Sequence, residues 1–551
     1  MIFKERQNKM TYKDVRDYIA ELDRLGLLVR VKQRLNKDTE ICPLVRWQFQ
    51  GLEPEQRRGW LFENVTDSRG REFDAKVAVS IVGASPRVYT VALGLENESQ
   101  IEGKWQRAIS NPVEPIVVGK SAAPVKEEIF MGDDIIRSGG IDKLPIPVVN
   151  PGTDPAAYFS APIWITKDPD TGVYNAGTYR SQLKAADRLG VHISSGHDGR
   201  SHWFKARAKG EPLEAVLVLS PDPTVSLCSV SKLDQSEYNV AGALNGSPLP
   251  LVKAETVDML IPANAEIAIE GKIRTDILEM EGPFGEFSGY TGPADYKYVF
   301  EATAITHRRT PIVQVFISEM PPSESTVIRK FGRENPLRHE LAAKVPSFKD
   351  VNILEEGGCE EMVVIALHNP KIGETSQALR TAVAFNRKYF KWIIAVDDDI
   401  NIRDLFSIMW ALNFRVQPHR DTEIQRGKNC GLDPSSAPAN APLNERDYPD
   451  GLGGSRILID ATLKWPYTPV ALPSKELMEH ALETWKELGL PKLTPKSPWH
   501  GYELGYWPKE WREAAKLATE GRYLETGEKY RKMRTSSSYM ETGEASSIDE
   551  M

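Results

Sequence analysis

The spacing of apolar residues changes twice along this chain of 551 residues, and these changes constrain its fold more than any single motif. Within residues 1–125, helical spacing alternates with short strand-like runs, which predicts an N-terminal α/β domain. Residues 126–325 contain many short apolar runs separated by Gly and Pro, which favours a β-barrel or a sandwich. In residues 326–480 buried strands alternate with helices, as in an open sheet with parallel strands. Residues 481–551 carry amphipathic helices and then a polar tail that we expect to be disordered.

Local signals refine this division. Asp14 is expected to cap a helix that Gly26 ends. The sequence Asp168-Pro-Asp-Thr-Gly172 predicts the turn of a β-hairpin. A further strand-like run, 312–317, is assigned to the β-rich section. The segment 426–455 is rich in Gly, Pro, Asn and Ser, which predicts a long loop of the kind that often binds a ligand.

The composition excludes several classes of protein. The net charge of −8 argues against a nucleic-acid surface, because phosphate binding requires a basic face. No run of about 18 apolar residues occurs, so we expect no segment to cross a membrane. The N-terminus lacks the apolar core of a signal peptide. The four cysteines are far apart and form neither a disulfide framework nor a zinc motif. We therefore expect a protein of the reducing cytoplasm.

Two acids stand five positions apart in the segment Glu281-Gly-Pro-Phe-Gly-Glu286. Pro283 lacks an N–H group and the two glycines permit unusual backbone angles, so the segment predicts a tight turn. Carboxyl groups that share a pocket shift each other's pKa, so that one can hold a proton while the other stays charged. Such a pair suits proton transfer, although an ordinary acidic turn with Phe284 in the core would show the same spacing.

Three further clusters in the β-rich section could bind a ligand. The segment Asn175-Ala-Gly-Thr-Tyr-Arg180 combines a glycine, which permits close approach to the backbone, with an arginine that can bind a carboxylate or a phosphate. His197 lies in a glycine-rich loop, and Glu237 follows Ser236 before an apolar run. Amide, imidazole and carboxylate ligands from Asn175, His197 and Glu237 suit Mg²⁺ or Mn²⁺ beside a phosphate. Each residue by itself more often occupies an ordinary loop or surface position.

The order and spacing of these motifs resemble the UbiD family of decarboxylases, most strongly between residues 160 and 293. The resemblance implies an α/β (α+β) multidomain fold. In it, a split β-barrel domain of the FMN-binding type lies between an N-terminal α/β domain and a C-terminal α/β domain with a helical extension. It also implies prenylated FMN as a covalent, electrophilic cofactor. A divalent ion, Mn²⁺ or Mg²⁺, would hold the cofactor phosphate, and a K⁺ ion would bind backbone carbonyls of residues 226–229 together with Glu237.

The resemblance also assigns roles to individual residues of this sequence. The catalytic network would consist of Arg180, Glu281 and Glu286. In it Glu286 would donate the proton, while Arg180 would orient the substrate carboxylate and keep Glu281 charged. The metal ligands would be Asn175, His197 and Glu237. The cofactor would also contact Gly177, Thr178, Tyr179, Arg180 and, at its phosphate, Lys391. The substrate pocket would be lined by Phe287, Ile328 and Leu432.

The function implied is the reversible, non-oxidative decarboxylation of an aromatic or other α,β-unsaturated carboxylic acid, with CO₂ as the released product. A flavin prenyltransferase would supply the cofactor, and the chain would form a homo-oligomer, either a dimer or a hexamer, through its C-terminal domain. One alternative is a non-catalytic or co-catalytic subunit of a multi-subunit aryl carboxylase. Another is a two-carboxylate hydrolase, which would leave Asn175, His197 and Glu237 without a role.

Three details depart from the family pattern or fall outside it. Gly196 stands where some relatives carry glutamine, and residues 226–229 differ from the expected run of small residues, which weakens the assignment of the K⁺ site. The run Asp397-Asp-Asp399 could bind a metal, but the favoured interpretation is that Asp399 or Asn401 caps the following helix.

Overall fold

The structure is a computed structural model that describes residues 11–194, 196–386, 388–428, 432–438, 453–493 and 508–537. It is an α/β multidomain protein, as the sequence predicts. The strands of the described residues are, in chain order, β1 (Leu28–Asn36), β2 (Gly59–Thr66), β3 (Glu72–Phe73), β4 (Lys76–Val79), β5 (Ile116–Val117), β6 (Glu128–Met131), β7 (Tyr158–Phe159), β8 (Ile163–Lys167), β9 (Tyr174–Thr178), β10 (Ser181–Ala185), β11 (Arg188–Val191), β12 (Leu213–Leu219), β13 (Pro250–Lys253), β14 (Leu260–Pro262), β15 (Ile267–Glu281), β16 (Phe284–Gly285), β17 (Thr291–Gly292), β18 (Asp295–His307), β19 (Ile312–Val315), β20 (Phe348–Ile353), β21 (Met362–Leu367), β22 (Trp392–Asp397), β23 (Thr422–Lys428) and β24 (Gly454–Ala461).

The helices of the same residues are, in chain order, α1 (Val15–Arg24), α2 (Ile41–Gly51), α3 (Pro86–Ala92), α4 (Ile101–Ser110), α5 (Asp133–Arg137), α6 (Asp198–Ala208), α7 (Pro223–Cys228), α8 (Glu237–Asn245), α9 (Glu324–Lys344), α10 (Glu374–Phe385), α11 (Leu405–Phe414), α12 (Pro418–Asp421), α13 (Lys475–Glu487), α14 (Lys509–Thr519) and α15 (Tyr523–Arg531). Among these, none is both long enough and apolar enough to cross a lipid bilayer.

The N-terminal sheet has the strand order β1-β2-β4-β19, with β3 beside β2. The cap predicted for α1 is confirmed, because the side chain of Asp14 accepts hydrogen bonds from the N–H groups of Arg16 and Asp17. Gly26 follows the helix with a φ of +69°, which favours glycine.

Strand β19 belongs to this N-terminal sheet, so the assignment of the run 312–317 to the β-rich section is wrong. It pairs in parallel with β4, and Ile312 lies opposite Lys76 while Val315 lies opposite Val79. All four of its residues are buried. A short strand that is buried on both faces shows no alternation of apolar and polar residues. Its sequence therefore does not specify which sheet it joins.

The central sheet is antiparallel and has the order β7-β10-β11-β18-β15-β12-β8-β9, with β6 beside β18. The predicted hairpin is confirmed, since β8 pairs with β9 and Thr166 lies opposite Asn175. The sheet is curled like half of a barrel, in agreement with the predicted split barrel. One buried cluster contains residues of both the N-terminal and the central sheets, among them Val31, Val77, Trp164 and Leu217. The two sheets therefore share a core.

The C-terminal sheet has the order β20-β21-β22-β24-β23. Strands β21, β22 and β24 are parallel to one another, which confirms the predicted parallel component. Its two faces form separate clusters of buried apolar residues. The limits of the predicted domains stay a prediction.

The interpretation of Asp399 or Asn401 as a helix cap is wrong. The N-cap of α11 is Asp404, whose side chain accepts from the N–H groups of the first turn. Asp399 instead forms an ion pair with Arg415, with 2.6 Å between Oδ2 and Nη2. Asn401 accepts a hydrogen bond from the N–H group of Arg403. Several polar residues precede this helix, and the sequence alone did not identify which of them lies at its first turn.

The C-terminal extension contains the two predicted helices, α13 and α14, and also α15 in the stretch expected to be a disordered tail. Ion pairs such as Arg531 with Glu528 lie within α15, and Lys529 reaches Glu513 of α14 at 3.8 Å. These contacts explain why a polar segment is helical there. Residues 538–551, and most of the loop predicted at 426–455, lie outside the described residues.

Candidate active site

Arg180 lies between the two acids of the predicted turn. It follows β9, whereas Glu281 is the last residue of β15 and Glu286 follows β16. The guanidinium donates from Nε to Oε1 of Glu281 at 3.0 Å and from Nη2 to Oε2 at 2.9 Å. Its Nη1 donates to Oε1 of Glu286. Residues that are 101 and 106 positions apart along the chain therefore form one charged cluster.

The pKa values of Glu281 and Glu286 are shifted in opposite directions. Burial raises the pKa of Glu281, but His192 and Arg180 outweigh it and lower that pKa to about 2. Burial also raises the pKa of Glu286, and there the opposing charges of Arg180, His192 and Arg329 do not overcome it. Glu281 is thus held as a carboxylate, whereas Glu286 retains its proton at higher pH.

His192 also belongs to this cluster, although the sequence did not predict a role for it. Its Nδ1 lies 3.7 Å from Oε2 of Glu281, and its Nε2 lies 3.0 Å from Oγ of Ser194. The pairing of β10 with β11 places Ser181 opposite Val191, so His192 comes beside Arg180. The N–H group of His192 donates to the carbonyl of Arg180 at 3.2 Å. The predicted hairpin ends with β9. Prediction of a second hairpin after it, formed by β10 and β11, would have placed His192 beside Arg180.

Two aromatic rings lie on one side of Arg180. The carbon of its guanidinium lies 4.9 Å from the centre of the Phe284 ring, and that ring packs on Tyr158 at 4.4 Å. Phe284 is buried. The alternative interpretation, an ordinary acidic turn with Phe284 in the core, also predicts this burial. The turn itself begins at Gly282, whose φ of +92° favours glycine.

The three residues with metal-type side chains lie around Tyr179. The amide of Asn175 donates to the Tyr179 hydroxyl at 3.3 Å, and the Tyr179 and His197 rings are 5.3 Å apart. The carboxylate of Glu237 accepts from the N–H group of Ala176, next to Asn175, at 3.2 Å. The structure thus brings the predicted metal ligands into one neighbourhood.

This donor set fits a hard divalent cation. Burial raises the pKa of Glu237 to about 7 and lowers that of His197. Within the described residues Glu237 forms no ion pair, so a cation would supply the missing positive charge. A group of three or more His, Cys, Asp or Glu side chains arranged for a metal does not occur in that part of the chain, and Asn175 would have to complete this site.

The residues next to Asn175 have structural contacts of their own. A Cβ atom on Gly177 would lie 2.4 Å from the Tyr179 hydroxyl, so this position needs glycine to accommodate that ring. Thr178 binds the 226–229 segment, since its N–H group donates to the carbonyl of Ser229 at 3.0 Å. The cofactor contacts expected of Gly177, Thr178 and Tyr179 stay a prediction.

Lys391, expected at the cofactor phosphate, contacts the loop at 432–438. Its Nζ lies 2.9 Å from Asp433 and 2.7 Å from Ser435. A second lysine, Lys388, approaches the predicted metal ligands, because its Nζ would lie 3.6 Å from a Cβ on Gly196. Its charge contributes to the lowered pKa of His197. Lys388 belongs to no motif, so nothing in its local sequence marks it as part of the site.

The three residues expected to line a substrate pocket have different surroundings. Ile328 is buried beside Gly83, where a Cβ would come within 2.9 Å of it. Leu432 is 41% exposed. Phe287 lies under the guanidinium of Arg329, whose central carbon is 4.5 Å from the ring centre. Nη1 of Arg329 is buried and has no hydrogen-bond partner among the described residues. Whether these residues line a pocket stays a prediction.

Comparisons with known proteins relate this site to one group of enzymes. The family model for the 3-octaprenyl-4-hydroxybenzoate carboxy-lyase Rift-related domain, UbiD, matches residues 116–321. The model for the C-terminal domain of the same carboxy-lyase matches residues 326–461. An uncharacterized protein from Archaeoglobus fulgidus is 30% identical over 83% of this chain and 93% of its own length.

Two solved structures have the same fold over most of the chain. The UbiD-class enzyme HmfF from Pelotomaculum thermopropionicum, in an evolved dimeric form with prFMN, is 32% identical. It has a TM-score of 0.70 and covers 84% of this chain and 97% of its own. Vanillic acid decarboxylase from Sedimentibacter hydroxybenzoicus, in a closed form, is 28% identical, with a TM-score of 0.71 over 87% and 99% of the two chains.

Proposed function

This chain belongs to the UbiD family of carboxy-lyases, and from that premise we propose that it decarboxylates, reversibly and without oxidation, an aromatic or other α,β-unsaturated carboxylic acid. The observation that carries the proposal is the position of Arg180 between two carboxyl groups whose pKa values move in opposite directions. Loss of CO₂ leaves a carbon that must be protonated, and a protonated acid beside a charged one provides for that step.

The cofactor of the proposed reaction is prenylated FMN. When bound, it supplies an electrophilic position that accepts the electron pair released with CO₂. Its phosphate would be held through Mn²⁺ or Mg²⁺ by Asn175, His197 and Glu237, and a K⁺ ion would bind carbonyls of the 226–229 segment. The partly buried carboxyl of Glu237, which forms no ion pair with any described residue and whose pKa is raised by desolvation, supports the divalent site. A flavin prenyltransferase would have to supply the modified flavin.

Each residue of the charged cluster has one role in this proposal. Glu286 donates the proton to the substrate carbon that loses CO₂. Glu281 stays ionised and fixes the plane of the Arg180 guanidinium by two hydrogen bonds. A guanidinium has five N–H donors, and three of those on Arg180 contact the glutamates. The other two bind no group of the described residues, so they can orient the substrate carboxylate. The buried Nη1 of Arg329 offers a second cationic donor near Phe287.

The proposed activity can be tested with the full chain co-expressed with a flavin prenyltransferase. The purified protein should show a bound-flavin spectrum and release CO₂ from at least one member of a panel of aromatic and acrylic acids. In D₂O the product should carry deuterium at the carbon that lost CO₂. Absence of bound flavin would favour the hydrolase alternative, and flavin without CO₂ release from the whole panel would favour a subunit that needs partners.

We also propose a cytoplasmic homo-oligomer. Helix α11 exposes apolar side chains, with Leu405 at 44%, Met409 at 46% and Phe414 at 69% exposure, which supports contact with a second copy. The cysteines Cys42, Cys228 and Cys359 are free and buried, in keeping with a reducing compartment. Light scattering of the wild type should give the molar mass of a dimer or a hexamer. Met409→Glu places a charge on the exposed apolar face of α11, so this variant should have a lower molar mass than the wild type. A wild-type monomer would contradict this part of the proposal.

A further inference from the structure

The hairpin that carries Glu286 has little support of its own. Strands β16 and β17 form a separate sheet of two strands. The N–H group of Glu286 donates to the carbonyl of Tyr290 at 2.9 Å, and that of Gly289 donates to the carbonyl of Glu286 at 3.0 Å. A two-stranded hairpin is only marginally stable by itself. The position of the Glu286 carboxyl therefore depends on what the hairpin packs against.

The hairpin packs on the side chains of Glu319 and Asn150. A Cβ atom on Gly285 would lie 2.5 Å from Cγ of Glu319 and 2.7 Å from Nδ2 of Asn150. Position 285 therefore needs glycine because of this close approach, and the hairpin backbone cannot move any nearer to these two side chains. Glu319 is buried, and it lies just after β19 of the N-terminal sheet.

Arg46 of helix α2 fixes the Glu319 carboxylate. Its Nη2 lies 2.5 Å from Oε2 of Glu319, and its Nη1 donates to the Glu319 carbonyl at 3.2 Å. The N–H group of Ser318 donates to the same Oε2 at 3.1 Å. Arg46 also reaches Oδ1 of Asn150 at 3.3 Å. One arginine of the N-terminal domain thus holds both side chains on which Gly285 lies.

Asp154 adds a second carboxyl group to this cluster. The N–H group of Asn150 donates to its Oδ2 at 2.8 Å. Burial and the charge of Glu319 raise its pKa to about 6, against the backbone hydrogen bonds from Asn150 and Gly285. The backbone of Gly285 therefore lies close to Asp154 as well as against Glu319.

We infer that Glu319, fixed by Arg46, is a positioning residue that sets the place of the Glu286 carboxyl through the backbone of Gly285. The inference rests on the proposed function of Glu286 as proton donor. Proton transfer requires close alignment, and a displacement of about 1 Å can cost about 100-fold in rate. Loss of the Arg46–Glu319 pair should therefore slow protonation without removing any group that contacts the substrate or the cofactor.

The test compares Glu319→Ala and Arg46→Met with a matched control, Arg16→Met. Arg16 is also on an N-terminal helix and pairs with a buried glutamate of the β-rich section, Glu266, by two hydrogen bonds of 2.7 Å. We expect Glu319→Ala and Arg46→Met to lower kcat at least about tenfold, with KM and flavin content within about twofold. Arg46→Lys should restore part of the rate, because it keeps the charge beside Glu319. Arg16→Met should leave kcat near that of the wild type.

Amide hydrogen exchange of residues 284–292 provides a readout that does not depend on catalysis. Exchange in this hairpin should be faster in Glu319→Ala and Arg46→Met than in the wild type and in Arg16→Met. If the wild type releases no CO₂, the proposed function fails, while faster exchange confined to the two test variants still supports the positioning role. The inference would be overturned if exchange in Glu319→Ala and Arg46→Met were unchanged, or if it were faster while kcat stayed at the wild-type value. An equal loss of kcat in Arg16→Met would also overturn it.

Discussion

Arg180 donates two hydrogen bonds to Glu281, from Nε to Oε1 at 3.0 Å and from Nη2 to Oε2 at 2.9 Å. The Glu281 side chain is 1% exposed and that of Arg180 12% exposed, so water contributes little to the solvation of either charge. A buried pair of this kind stabilises the fold only while both partners are present, because a single charge left in the interior is costly.

Replacement of Arg180 by alanine should therefore affect both stability and activity. We expect the free energy of unfolding to fall by about 3–5 kcal/mol, since Glu281 would be left buried without the guanidinium that donates two hydrogen bonds to it. Decarboxylation should fall below detection. Urea unfolding and CO₂ release measure the two effects. The control is Arg274→Met, which removes partly exposed ion pairs with Asp276 and Glu301 and should leave the free energy of unfolding close to that of the wild type. An equal loss in both variants would contradict the prediction.

Replacement of Glu286 by glutamine should abolish product formation while flavin binding is retained. The amide has nearly the same shape as the acid, but it cannot donate a proton to the substrate carbon. The bound-flavin spectrum and the release of CO₂ should be measured on the same preparation. Glu279→Gln, a change at a partly exposed acid two residues before Glu281 on β15, serves as the control and should keep full activity. Undiminished turnover in Glu286→Gln would remove this residue from the mechanism.

The rate should fall as pH rises through the pKa of Glu286. The donor must be protonated, and burial raises its pKa above the ordinary value for a glutamate. The charge of Arg329 lowers that pKa, so Arg329→Gln should move the decline in kcat to higher pH. Profiles of kcat against pH for the two proteins provide the comparison. A shift to lower pH in the variant would show that another group controls the decline.

Removal of the Glu237 carboxylate should abolish binding of the divalent ion. In the protein without a cation, the pKa of Glu237 is about 7, so Mn²⁺ must displace a proton from this carboxyl group below that pH. The affinity for Mn²⁺ should therefore increase as pH rises to about 7. Calorimetric titration of the wild type with Mn²⁺ at pH 6 and pH 7.5 measures this trend. Glu237→Ala should show no binding, whereas Asp234→Asn, a change at an exposed acid in the loop just before helix α8, should bind normally. Equal affinity at both pH values would argue against Glu237 as a ligand.

Stability should depend on pH through Glu324, which begins helix α9. This buried carboxyl accepts from the N–H groups of Val82 at 3.0 Å and Gly83 at 3.1 Å, and burial raises its pKa to about 8. Between pH 4.5 and 8 the folded protein therefore binds more protons than the unfolded chain, and the free energy of unfolding falls as pH rises. In Glu324→Gln this decline should be smaller, as urea unfolding at pH 5.5 and pH 8 would show. The matched control, Glu340→Gln on the exposed face of the same helix, should keep the wild-type dependence.

Local patterns in the sequence were sufficient for much of the fold. Asp14 and Gly26 bounded a helix correctly, and the hairpin between β8 and β9 followed from turn chemistry. Strand β19 was assigned to the wrong sheet, because strand pairing depends on contacts between distant parts of the chain. The cap of α11 was also misplaced, since Asp404 is one of several polar residues that could have capped it.

The sequence by itself determined which residues are available for chemistry at this site. The order of Asn175, Arg180, His197, Glu237, Glu281 and Glu286 was enough to indicate the family. Only the tertiary structure decided how the two glutamates differ. Both have the same side chain and a similar local sequence, but Glu281 ends a long strand where His192 and Arg180 stabilise its charge, whereas burial of Glu286 favours its proton. A pKa depends on desolvation and on neighbouring charges in space, and these neighbours come from segments about 90–106 positions away in the chain.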